Sequence, residues 1–240
     1  MKILSIGNSF SQDAQRYLHR LVKHDGENIK AVNLFIGGCS LRTHYINMLD
    51  DVRSYLFEFN GEPTGIKISI REALVSDEWD YVTLQQASFK SMEFDSYIPY
   101  IQELADYVRK YCPKAKIMIH ETWAYEDGTE RLIKSCGFET AEKMYQAVHD
   151  AYAKAKDAIN AHGVIPSGSA MIEGARRGLS VHRDGFHASY GVGRYLLALT
   201  WYKTLFGKDI TDNSFDEFDT PVTDQERKIA IDAVNSVISG

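Results

Sequence analysis

Met1-Lys2-Ile3-Leu4-Ser5-Ile6-Gly7-Asn8-Ser9-Phe10-Ser11 opens the chain, and its reading decides the fold. Residues 2–6 have strand length and are dominated by apolar side chains. They run straight into a glycine and then into a segment with helical spacing. Across residues 11–24, Ala14, Leu18, Leu21 and Val22 fall on one helical face, and Gly26 suits a stop. This is the pattern of a first βα unit, with a serine at the tight turn between its two parts.

Working outward, the same alternation repeats. Residues 29–36 read as a second strand ending in Gly37-Gly38, residues 79–84 as a third, 115–119 as a fourth and 164–166 as a short fifth. Between and after them lie helical stretches. Residues 95–111 carry Ile98, Ile101, Leu104, Ala105 and Val108 and stop at Pro113. Residues 140–161, 187–206 and 223–238 complete the set. The last opens on Thr223-Asp224-Gln225-Glu226, a capping-box pattern. Continuous apolar strands alternating with helices predict a parallel sheet covered on both faces. Right-handed crossovers then favour a three-layer α/β/α sandwich with a five-stranded, flavodoxin-like sheet. One stretch breaks the rhythm. Residues 55–59, the turn-rich Asn60-Gly61-Glu62-Pro63-Thr64-Gly65 and residues 66–70 read as a hairpin flanking that sheet. No repeat, low-complexity tract or linker interrupts residues 1–240, which are read as one domain.

Composition narrows the function. The 240 residues are 44% hydrophobic and 25% charged, an ordinary globular balance, and the net charge of −6 leaves no basic footprint for nucleic acid. No apolar run approaches the ~20 residues of a membrane span. Cys39, Cys112 and Cys136 form neither a CxxC pattern nor an even set, which points to a reduced, cytoplasmic protein without a disulfide framework or zinc site. The oligomeric state is not legible.

In an open parallel sheet, ligands bind beyond the carboxyl ends of the strands. Ser9, Gly37-Gly38, Gln85-Gln86 and the run His120-Glu121-Thr122-Trp123-Ala124-Tyr125 all follow strands one to four. Asp184-Gly185-Phe186-His187 precedes a late helix. A serine, a histidine and an aspartate three residues before it can supply a nucleophile, its base and the orienter of that base. A helical turn at 184–187 would let the two side chains meet. The plainer alternatives are a helix cap at Ser9 or Ser11, an incidental histidine in an acidic first turn, and an ordinary turn at Gly37-Gly38. His182 and His120 compete for the base. Oxyanion donors would come from the N–H groups of Ser9 and Gly38 and the amide of Gln85, with Gly37 and Gln86 as alternatives. Trp123 and Tyr125 are either a stacking wall for a sugar ring or anchors of their loop.

These motifs together resemble the SGNH (GDSL-type) hydrolases. Gly7-Asn8-Ser9-Phe10-Ser11 is similar to their first block, with Asn8 where Asp is commoner. Gly38 resembles the glycine of the second block, and Asp184-x-x-His187 matches the last. The third block departs: Leu84-Gln85-Gln86-Ala87-Ser88 puts Ala87 where the family has its oxyanion Asn, and Gln85 resembles a glutamine found in carbohydrate-esterase branches. The resemblance implies the same sandwich fold, Ser9 as nucleophile, His187 as base and Asp184 as its orienter; Asn8 is expected near the substrate, as are Trp123 and Tyr125 on the stacking reading of their loop. It implies no cofactor and no metal. The expected activity is hydrolysis of a small acyl ester, acetyl first among them, on a polar carrier such as a sugar or oligosaccharide. A carbohydrate-binding relative that has lost turnover is the alternative. A nucleotide or flavin binder lacks GxxxxGKS and GxGxxG, and a metal site built from His120, His182, Asp184 and His187 lacks any ligand spacing.

Overall fold

A computed structural model describes residues 1–238; the last two residues of the expected 1–240 domain lie outside it. The strands are β1 (Lys2–Gly7), β2 (Lys30–Phe35), β3 (Tyr55–Phe59), β4 (Glu62–Ile68), β5 (Tyr81–Leu84), β6 (Lys116–His120) and β7 (Gly163–Ile165). They form one sheet in the order β4-β3-β2-β1-β5-β6-β7. β2, β1, β5, β6 and β7 are parallel and correspond to the five strands read from the sequence, in flavodoxin-like order.

The sheet has seven strands and not five because the hairpin joins it. β3 pairs antiparallel with β2, and β4 with β3. The hairpin's turn is also tighter than expected. Asn60 and Gly61 alone make it, with φ of 52° and 83°, the left-handed pair that a two-residue turn requires. Glu62 and Pro63 therefore belong to β4, where an edge strand tolerates proline.

The helices are α1 (Ser9–Gln15), α2 (Leu18–His24), α3 (Leu41–Leu49), α4 (Ile70–Val75), α5 (Tyr100–Tyr111), α6 (Ala141–Ala158), α7 (Ser167–Arg176), α8 (Val192–Phe206) and α9 (Asp224–Val237). α3, α4 and α5 pack on one another, while α1, α2, α7 and α9 pack on or beside α8. Right-handed crossovers put these sets on opposite faces of the sheet. α8 is buried almost all round, as its apolar sequence requires. The predicted helix over residues 11–24 is two helices, and the one expected from 187 begins at Val192. The residues between, 181–189, form a short hairpin closed by an antiparallel bridge between His182 and Ala188. α9 starts at its capping box as read, with the Thr223 side chain accepting from the Glu226 N–H.

Candidate active site

Ser9 sits where β1 gives way to α1, at the carboxyl edge of the sheet beside the β1–β5 switch in strand order. The turn is tight: a Cβ on Gly7 would stand 1.9 Å from Ser11 Oγ and 2.9 Å from Asn33 Oδ1. The helix cap is Asn8, neither Ser9 nor Ser11. Its Oδ1 accepts the Phe10 N–H at 3.0 Å, while Ser11 Oγ accepts the Asn8 N–H at 3.0 Å. That capping box satisfies the helix end and leaves the Ser9 hydroxyl free for other work.

The free hydroxyl faces a histidine. Ser9 Oγ lies 3.0 Å from His187 Nε2, and His187 Nδ1 lies 2.7 Å from Asp184 Oδ2. A helical turn does not bring Asp184 and His187 together. Asp184 Oδ1 accepts the backbone N–H groups of His187 at 2.8 Å and Phe186 at 3.3 Å, which folds the segment back on itself. Gly185 takes a φ of +84° at the bend. Because Asp184 accepts a hydrogen bond from Nδ1–H and so keeps the proton on that nitrogen, Nε2 presents its lone pair to the serine. Partial burial pushes the Asp184 carboxyl up, but its hydrogen bonds from His187 and Phe186 outweigh this and hold it below the ordinary carboxylate value.

The aromatic residues of the 120–125 run support this turn from beneath. Trp123 and Tyr125 are buried, so neither offers a face to a sugar, and the expected stacking wall gives way to the anchoring alternative. Trp123 stacks on Phe10 with centroids 4.1 Å apart, and its Nε1–H donates to the Phe186 carbonyl at 2.7 Å. The Tyr125 ring packs edge-on to Phe186, and its hydroxyl is 2.9 Å from Ser88 Oγ. Asn8 is likewise buried and committed to its cap, not turned toward a substrate.

The donors for an oxyanion are more sparse than the sequence suggests. The Ser9 and Gly38 N–H groups have no acceptor among the described residues, and Gly38 is exposed with a φ of 62°. Asn8 Nδ2 donates to the Cys39 carbonyl at 3.2 Å, which ties the Gly37-Gly38 turn to the serine turn. Gln86 is spent: its Nε2 donates to the Ser96 carbonyl and hydroxyl, each at 3.1 Å. Gln85 gives one amide hydrogen to Asn8 Oδ1 at 2.7 Å and keeps a second without an acceptor among the described residues.

Of the competing histidines, neither reaches Ser9. His120 is fully buried, with Nδ1 2.7 Å from Gln85 Oε1 and Nε2 3.1 Å from Ser167 Oγ. Burial lowers it to about 3, so it is neutral. Since Asn8 Oδ1 accepts from Phe10, Gln85 must present its nitrogen to Asn8 and its oxygen to His120, which fixes the His120 proton on Nδ1. His182 donates from Nε2 to the Ala124 carbonyl at 3.1 Å, and burial lowers its pKa too. Among the described residues, no group of three or more His, Cys, Asp or Glu side chains is arranged to hold a metal. No helix among them is long and apolar enough to cross a membrane. A cleft of about 330 Å³ lined by Tyr125, Glu126, Met171, Leu179 and His182 lies beside the site, but includes neither Ser9 nor His187.

This sheet order, with a serine after β1 and an Asp-x-x-His turn before α8, is the fold of the SGNH and GDSL-like hydrolases. A protein from Slackia heliotrinireducens assigned to the SGNH hydrolases superposes with a TM-score of 0.61 at 23% identity, covering 85% of this chain and 98% of that one. Axe2, an acetylxylan esterase from Geobacillus stearothermophilus, superposes with a TM-score of 0.52 at 16% identity, covering 84% and 92%. The chain belongs to the DUF4886 family, a domain of unknown function whose model matches residues 2–236. A DUF4886 family protein from Bacteroides uniformis is 34% identical, with a TM-score of 0.91 over 99% of this chain and 94% of that one. No curated protein matches the chain.

Proposed function

We propose that this protein is a serine-dependent carboxylic ester hydrolase that removes a small acyl group, acetyl first, from a polar carrier such as a carbohydrate. The observation that carries the reading is the unbroken chain Ser9 Oγ–His187 Nε2 at 3.0 Å and His187 Nδ1–Asp184 Oδ2 at 2.7 Å. Ser9 Oγ attacks the ester carbonyl as its proton passes to His187 Nε2. Asp184 steadies the imidazolium that forms. The carbonyl oxygen, now an anion, is held by the N–H groups of Ser9 and Gly38 and by the second N–H of Gln85. Collapse expels the alcohol, which takes the proton from His187. Water, activated by the same histidine, then frees the acid and returns the serine.

The acetyl-carbohydrate part rests on the fold shared with an acetylxylan esterase and on Gln85, which resembles the glutamine of carbohydrate-esterase branches where Ala87 replaces the usual third-block asparagine. It needs no cofactor or metal. We read residues 1–240 as one domain on its single apolar core, and the location as cytoplasmic on its three unpaired cysteines. The glutamines favour one rival, a carbohydrate-binding relative without turnover, because Gln86 is fully engaged and Gln85 half engaged elsewhere.

The test is Ser9→Ala assayed on 4-nitrophenyl acetate and on acetylated xylo-oligosaccharides. Turnover should fall roughly 10³-fold or more, with circular dichroism and Tm unchanged. Retained turnover would remove Ser9 from the reaction.

A further inference from the structure

The nucleophile and its base come from segments 178 residues apart, and one side chain joins them. Asp13 lies one turn after Ser9 on α1, and its carboxylate is completely buried. It accepts hydrogen bonds from Arg183 Nη1 at 3.0 and 2.9 Å, from Arg194 Nε at 2.9 Å and from the Ala188 N–H at 3.2 Å, and Arg194 Nη2 forms an ion pair with it at 2.8 Å. Arg183 immediately precedes Asp184, and Ala188 immediately follows His187. Arg183 Nη1 also bonds the Ala188 carbonyl. The acid–base pair thus occupies the tip of a hairpin closed by Arg183 N–H to His187 O at 3.0 Å and Ser189 N–H to Val181 O at 2.7 Å. The foot of that hairpin is pinned to the helix that carries Ser9.

Resting on the esterase reading, we propose that Asp13 is the positioning residue that sets the distance from Ser9 Oγ to His187 Nε2. Taking a carboxylate and two guanidiniums out of water is expensive, and well-packed apolar groups usually stabilise as well or better. What apolar packing does not supply is direction. Four hydrogen bonds and an ion pair to one carboxylate fix the hairpin's orientation against α1, where a 1 Å error costs about 10²-fold in rate. The charges are closed off within the same assembly. The guanidiniums of Arg183 and Arg194 both lie over the Tyr190 ring, at 4.7 and 4.6 Å, and Arg194 Nη1 reaches Asp219 at 2.8 Å.

The experiment compares Asp13→Asn with Asp219→Asn, which loosens the same ion network away from the hairpin. Asp13→Asn should lose about 10²-fold in kcat with KM within twofold, and its rate of fluorophosphonate labelling at Ser9 should fall in proportion. Asp219→Asn should lower Tm and leave kcat within threefold. Equal loss of kcat in the two variants at matched Tm, or wild-type kcat in Asp13→Asn, overturns the proposal. If Asp13→Asn does not fold, Arg183→Leu takes its place, with Arg183→Gln restoring part of the lost kcat. A crystal structure of the folded variant reads the geometry independently of turnover: Ser9 and His187 should stand beyond hydrogen-bond reach, and an unchanged separation of 3.0 Å refutes the role. Failure of the wild type to be labelled at Ser9 would instead count against the esterase reading itself.

Discussion

Asn8 shows how closely stability and chemistry are joined at this site. One side chain caps α1, receives Gln85 and ties down the Gly38 turn through the Cys39 carbonyl. Asn8→Ala should therefore cost about 1–2 kcal/mol in urea unfolding, the upper range for a lost cap, and lower kcat along with it. A loss of stability with kcat intact would mean that the cap and the donors around Ser9 are independent. Ser9, Asp184 and His187 were legible in the sequence because their residue types carry reaction chemistry and their blocks are specific. Of the tasks of Asn8, the cap on Phe10 is local, while its ties to the Gly38 turn and to Gln85 were not legible, since those partners stand 31 and 77 positions away. Asp13 gave no local signal at all. In sequence it is one polar residue of an amphipathic helix, and only the fold brings Arg183 to it. Trp123 and Tyr125 were ambiguous in principle, because an aromatic ring serves equally as core or as platform and burial alone decides.

Between elements, buried polar contacts do the locking where β6, α6 and α7 meet. Glu121, just past β6, is buried and accepts from the Ser169 N–H at 2.7 Å and hydroxyl at 3.0 Å in α7, and from His149 Nδ1 at 2.8 Å in α6. Gly168 leaves room for this contact, since a Cβ there would stand 2.3 Å from the Thr122 carbonyl. The hydrogen bond to Glu121 raises the His149 pKa, against the opposing effect of burial. The stabilisation from this pair is therefore complete below the unfolded histidine value of 6.5 and is lost as pH rises through the higher folded value. In urea unfolding, His149→Ala should trail the wild type most at pH 5.5 and converge on it in alkaline buffer. A gap that does not change with pH would contradict the assignment. Element boundaries were readable where side chains announce them, as at Thr223. They were not readable where tertiary contact decides, as in the break between α1 and α2 or the hairpin that delays α8 to Val192.

Across the molecule, the core holds two fully buried histidines, His44 and His120, each lowered by burial to about 3. Unfolding returns them to 6.5, so between those values the unfolded chain binds more protons and folding weakens as pH falls. Each should contribute a slope of up to about 1.4 kcal/mol per pH unit across that window. Unfolding free energies measured from pH 7 down to pH 4 should drop accordingly, and a flat profile would contradict the neutral assignment. The architecture was legible at this level because five continuous apolar strands have few ways to be covered. The hairpin was legible as a hairpin, but not its joining the sheet, because β4 is exposed almost throughout and carries none of the burial pattern that marks a sheet member.

The reading of this protein as a serine esterase is tested most directly by treating it with a fluorophosphonate and measuring intact mass and the labelled peptide. One adduct on Ser9, abolished in His187→Ala, is the predicted result. Folded wild-type protein that takes up no adduct would contradict it.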